Sequence, residues 1–169
     1  GRLATRHLLG LGRRRIAFIG TAGEQFPEFR DRYGASCEAL REAGIQPDPR
    51  LQADAQSDPA EGHAAALRLL RAEVPFDAIV AASDMIAIGA IRALQEEGLR
   101  VPQDVSVVGF DDIVTAGFYS PPLTTVRQDT ALAGERLVEN LLRLIEGGEV
   151  RSTQITPTLV VRGSCGGGG

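Results

Sequence analysis

Asp111 and Asp112 close the apolar run Val105 to Phe110 in the stretch VPQDVSVVGFDDI. Ser83 and Asp84 close a second run, DAIVAA, and Arg32 follows a third, IAFIG, after an open glycine loop. A carboxylate accepts hydrogen bonds, a guanidinium donates them in a planar fork, and a hydroxyl does both. Brought together, such groups would hold a polar small molecule by its hydroxyl or carboxylate oxygens. Each residue also has a local reading. Aspartates often cap nearby backbone, Ser83 stands where a helix N-cap belongs, and Arg32 could be a solvated cation beside Glu28 and Asp31. Neighbours on extended chain point to opposite sides. One of Asp111 and Asp112 is therefore expected to face a ligand and the other to brace the following loop.

The elements that must position these groups follow from periodicity. Leu3, His7, Leu8 and Leu11 form a helical stripe stopped by Gly12, and a strand RRIAFIG follows. Residues 30–43 read as a helix with Tyr33, Cys37 and Leu40 on one side, and LQADA reads as a strand. Ser57 or Asp58 caps a helix with Pro59 just inside it. FDAIVAAS is a strand. DMIAIGAIRALQEEG is a helix apolar over so wide an arc that two sides must be covered. One side faces the sheet, the other a further layer or a partner subunit. The run ending in Asp111 and Asp112, an extended TTVR, a helix from about 130 to 146 and an extended TQITPTLVVRG complete the chain. Alternation of this kind predicts an α/β fold, a three-layer doubly wound parallel sheet. Ligands then bind beyond the carboxyl ends of the strands. GSCGGGG, residues 164–169 above all, reads as a flexible tail.

Composition excludes several functions. The chain has 169 residues, 18 basic against 22 acidic, for a net charge of −4, and all the Lys+Arg residues are arginine. An acidic chain is not expected to grip a phosphate backbone. Acidic pairs at strand ends also serve phosphoacceptor and phosphatase chemistry with magnesium. Those sites commonly need a lysine, and no nucleophile elbow or phosphate-cradling glycine motif is present, so no enzyme is expected. His7 and His63 have no ligand partners at metal spacing, and Cys37 and Cys165 read as incidental thiols. No metal and no cofactor are expected. No run reaches the ~18–20 apolar residues of a membrane helix, and a cytoplasmic location is expected. The chain opens inside a helical pattern without methionine, so a longer protein is expected.

The stretch AASDMIAIGAIRALQEEGLRVPQDVSVVGFDDIVTAGFYSPPLTTVRQD resembles the effector-binding domain of the lactose/galactose-repressor family of bacterial transcription regulators. The resemblance extends back through HLLGLGRRRIAFIG and RYGASCEALREAG and forward through GERLVENLLRLIEGG. It implies a periplasmic-binding-protein-like (type I) lobe. Residues 1–163 would be a partial effector-binding domain, mainly its C-terminal lobe, with 128–148 the helix that returns to the N-terminal lobe. The DNA-binding head is absent from this chain. On this resemblance Arg32, Ser83, Asp111, Gln128 and Ser57 are the effector-binding positions. Ser57 stands where many relatives carry a stacking aromatic, which argues against a stacked ligand. Met85, Ile88, Ile91 and Tyr119 fall at a homodimer interface. The implied function is sensing of a sugar-like small molecule by a dimeric repressor. The alternatives are a periplasmic sugar-binding protein of a transporter and, further off, a phosphoacceptor or hydrolase domain.

Overall fold

Six strands form one sheet in the order β2-β1-β3-β4-β5-β6 in a computed structural model that describes residues 1–166. The elements run α1 (Arg2–Gly10), β1 (Ile16–Ile19), α2 (Pro27–Glu42), β2 (Gln52–Ala53), α3 (Pro59–Arg71), β3 (Ala78–Ala81), α4 (Asp84–Glu96), β4 (Ser106–Phe110), β5 (Thr124–Arg127), α5 (Thr130–Ile145) and β6 (Thr158–Val160). The first five strands pair in parallel and β6 joins the edge antiparallel. β1 and β3 are buried along their whole length, as strands covered on both faces must be. Helices α1 and α2 pair with each other, and α3 and α4 form the other pair. The fold is thus the three-layer α/β arrangement expected. The strand order reverses at β1, whose neighbours β2 and β3 follow it in sequence on opposite sides.

Several local expectations are corrected. Helix α2 begins at Pro27, three residues early, with proline in the first turn where its missing N–H costs nothing. Arg32 is therefore in the second turn, beyond the reach of the helix-end dipole. The buried stripe of α1 is Ala4, Thr5 and Leu8, whereas Leu3 and Leu11 are exposed. Small residues let α1 lie close to its neighbours, and Thr5 meets Ser36 of α2 by a buried hydroxyl pair at 2.6 Å.

While Met85 stays exposed, much of the wide apolar arc of α4 is covered by α3. Their backbones nearly touch: a Cβ on Gly62 would lie 2.3 Å from the Ile86 carbonyl oxygen, and one on Gly89 1.9 Å from that of Pro59. Ile91 is fully buried in this packing and cannot meet a second subunit.

The expected tail is structured through Gly166. Gly163–Cys165 form a turn of 3-10 helix with Ser164 and Cys165 buried. The Ser164 hydroxyl donates to the Val107 carbonyl at 2.6 Å and accepts from the Thr124 amide at 2.8 Å. It thereby bridges β4 and β5 where their direct pairing starts, at Val108 and Thr124. Cys165 is no incidental thiol: its sulfur lies 3.1 Å from Thr124 Oγ1 and 3.2 Å from His7 Nε2. Small polar side chains fit this gap between strands, which is why a linker-like composition folds here. Residues 167–169 of the expected tail lie outside the described residues.

Helix α5 differs from the others. It has no buried residue, and Leu137, Val138, Leu141, Leu142, Leu144 and Ile145 are exposed. No helix among the described residues is long and apolar enough to cross a membrane.

Candidate functional site

The carboxyl ends of β1, β3, β4 and β5 place the polar residues on one rim of the sheet, beside the reversal in strand order. Arg32 reaches in from α2. Its Nη1 donates to the Ala82 carbonyl at 2.5 Å, and its guanidinium lies over the Phe110 ring, 3.6 Å from the centroid. A cation over an aromatic face gains electrostatic attraction and a flat support. Burial pulls the Arg32 pKa down, against the opposing pull of Asp111 and Glu28.

Ser83 follows Ala82 and caps α4, its hydroxyl accepting from the Ile86 amide at 3.3 Å. Ser57, exposed at the start of the α3 turn, donates its hydroxyl to Ser83 Oγ at 2.9 Å. Ser83 itself is only 1% exposed, so Ser57 presents the open oxygen of this pair. The two were singled out separately along the chain. Packing of α3 on α4 joins them.

Asp111 faces Arg32 and Gln128. Partial burial pushes its carboxyl up from the ordinary value, and the Arg32 charge and the Gln128 amide pull it down. Among the described residues, Arg32 and Asp111 do not close into an ion pair. Each keeps hydrogen-bonding capacity free. Gln128, at the end of β5, also lines a cleft of about 710 Å³ between α5 and residues 153–158.

The reason that Asp111 and Asp112 diverge is not the alternation of extended chain. Both have positive φ, 113° and 56°. Aspartate tolerates left-handed backbone better than most residues. Asp112 turns away from the rim, to Arg127 Nε at 2.5 Å and Arg162 Nη2 at 2.6 Å. Burial alone would push its carboxyl up, but the Arg162 and Arg127 guanidinium groups hold it below its ordinary value.

Asp84 is the first residue of the apolar helix α4. It is fully buried and accepts from Thr125 Oγ1 at 2.5 Å and from the Ile113 amide at 2.9 Å. Burial pushes its carboxyl up to about 6, against those two hydrogen bonds and with Asp111 and Asp112 adding to the rise. It ties α4 to β5 and to the loop that carries Asp111. Phe110, Arg127 and Arg162 escaped the sequence reading, and the bracing role of Asp84 had only one signal, a charge at the start of a largely apolar helix.

A parallel sheet with its polar rim beside the reversal in strand order defines a ligand-binding α/β lobe. The chain belongs to the periplasmic binding protein-like domain family, whose model matches residues 5–165. It is 39% identical over 170 aligned positions to the HTH-type transcriptional repressor PurR of Haemophilus influenzae (strain PittEE), covering 97% of this chain and 50% of that protein. A transcriptional regulator CelR–cellobiose complex superposes with a TM-score of 0.88 at 35% identity, covering 95% of this chain and 49% of that one. The Lac repressor dimer bound to operator and the anti-inducer ONPF gives 0.88 at 34%, covering 96% and 49%. The resemblance to lactose-repressor-type regulators is therefore one of homology. The chain spans about half the length of the curated relatives it matches.

Proposed function

We propose that this chain is the C-terminal effector-binding lobe of a cytoplasmic bacterial transcriptional repressor, and that it senses a polyhydroxylated, sugar-like molecule. The observation that carries the reading is the convergence of Arg32, Asp111, Gln128 and Ser57 on one rim. Arg32 donates to ligand oxygens, Asp111 accepts from ligand hydroxyls, and Gln128 and Ser57 do either. Neither Ser57 nor its hydroxyl partner Ser83 offers a ring for stacking, which favours a ligand read by its hydroxyls. The cellobiose complex of a homologue supports that class. Residues 1–163 make up this partial domain. The apolar side of α5, within 128–148, covers the other lobe, and DNA contact belongs to a head outside this chain. An effector acts by binding one arrangement of the lobes better than the other.

One lobe supplies one wall of a cleft, so affinity in this chain is expected to be millimolar or weaker. An NMR titration with cellobiose should shift signals of Arg32, Asp111, Gln128 and Ser57, and Arg32→Gln should abolish the shifts. Shifts confined to another face, or micromolar affinity in a calorimetric titration, would count against the reading.

The same proposal includes a homodimer. Met85 is exposed and Ile88 and Tyr119 partly so, and Val114 and Phe118, at 82% and 87% exposure, follow in the loop before Tyr119. Ile88 and Tyr119 line a groove with Pro59, His63, Gly89 and Arg92. Large apolar side chains left in water are the raw material of an interaction surface. Phe118→Asp is expected to weaken self-association about 30-fold or more in sedimentation equilibrium, as removal of an interface anchor does. Leu141→Asp, on α5, should leave that constant unchanged. The reverse pattern would place the contact on α5.

A further inference from the structure

We infer that Asp112 is a positioning residue that couples the ligand-facing Asp111 to the two chain segments that leave this lobe and return to it. The inference rests on the reading of Asp111 given above. On the lobe reading proposed above, the outgoing segment is β5, which runs through Arg127 and Gln128 into the unpacked helix α5. The returning segment is β6, followed by Val161 and Arg162. Asp112 holds both. Oδ2 accepts from Arg127 Nε and Oδ1 from Arg162 Nη2, while the Arg162 Nη1 donates to the Leu123 carbonyl at 2.8 Å.

The surroundings make this clamp firm. The Asp112 side chain is 7% exposed and that of Arg162 22%, so water screens their pair far less than it screens a surface bridge. Arg127 is half-exposed and closes the outer side. The backbone is fastened to the same strand. The Asp111 amide donates to the Val126 carbonyl at 2.9 Å, and the Asp112 amide donates to Thr125 Oγ1 at 3.4 Å. Thr125 in turn donates to the buried Asp84. Asp111 and Asp112 are adjacent in the chain, and both of their amides are tied to β5. A pull on the Asp111 carboxylate therefore reaches Asp112 directly, and through it both arginines. One residue would then translate occupancy of the rim into the angle at which both crossovers leave the lobe.

The test uses the ligand-free chain, so that it can fail separately from the sugar reading. Arginine Nε–H NMR signals report the clamp, and amide hydrogen exchange reports the segments. Asp111→Asn is expected to move the Arg127 and Arg162 Nε signals, although it touches neither. Asp112→Asn keeps a residue that tolerates left-handed backbone. It should speed exchange in 124–127 and 158–160 together by about tenfold, the usual worth of a charged hydrogen bond. Exchange in β1 and β3 should hold. Arg127→Gln opens one arm only and should move the Asp111 side-chain signal; it serves if Asp112→Asn does not fold. Unmoved Arg127 and Arg162 signals in Asp111→Asn would overturn the coupling. So would an unmoved Asp111 signal in Arg127→Gln, or faster exchange spread evenly over β1 and β3.

Discussion

Gly89→Val is expected to destabilise the fold by about 3 kcal/mol or more, the upper range for overpacking a core contact. The obstacle is backbone, not a side chain that can swing aside. The first added carbon would lie 1.9 Å from the Pro59 carbonyl oxygen and 2.7 Å from the His63 amide nitrogen. Gly62 makes the reciprocal approach to the Ile86 carbonyl, so the helices can separate only by losing the whole seam. The damage should reach the rim as well. The N-terminal ends of α3 and α4 hold Ser57 against Ser83, and parting the helices breaks that hydrogen bond. Gly34→Ala in α2 is the control. Nothing lies within 4 Å of its added Cβ, and the helix should gain about 0.5–1 kcal/mol. Urea denaturation of both variants measures the difference. A Gly89→Val protein within 0.5 kcal/mol of the parent would show that α3 and α4 are not held at this seam.

Asp84 should make stability fall as pH rises, by about 2 kcal/mol between pH 4.5 and 7.5. Its folded pKa is raised to about 6 from an ordinary 3.8, mainly by burial. The folded state therefore binds the proton more tightly than the unfolded chain does. The favourable contribution is complete below about 4, fades as pH climbs through the window between the two values, and is gone above the folded value. Asp112 works in the opposite sense, because its arginines depress its pKa and acid weakens the pair. The measurement must therefore be a difference. Denaturation of the parent and of Asp84→Asn across this range isolates the Asp84 contribution, since asparagine does not titrate. A parallel pair of curves would show that Asp84 is better solvated than its complete burial implies.

The alternation of elements was readable because each strand is a short apolar run and each helix has a periodic face with polar or glycine punctuation. Asp58 with Pro59 marks the start of α3, and Ser83 marks that of α4, through local capping geometry. Local rules also put Ser83 and Asp111 at strand ends, which on this fold is one rim. The same rules misled where the partner lay far away in sequence. The C-terminal Gly-Ser-Cys looked like linker because its value lies in filling a gap between β4 and β5, which no local pattern encodes. The apolar arc of α4 left a further layer and a partner subunit as equal readings, because glycines in two helices, 27 positions apart, are unremarkable until the helices cross.

The amino-acid order was enough for the layered α/β class, the family and the rim on which Arg32 and Asp111 stand, because hydrophobic period, capping and strand-end position are properties of adjacent residues. Folding in three dimensions decided which of two neighbouring aspartates faces outward, what Arg32 rests on, and how Ser57 meets Ser83. Those outcomes depend on positive φ angles at Asp111 and Asp112, on the Phe110 ring beneath the guanidinium, and on two helices packed backbone to backbone. The ring contact and the helix seam join segments far apart in the chain, which only the folded sheet and its helices bring together.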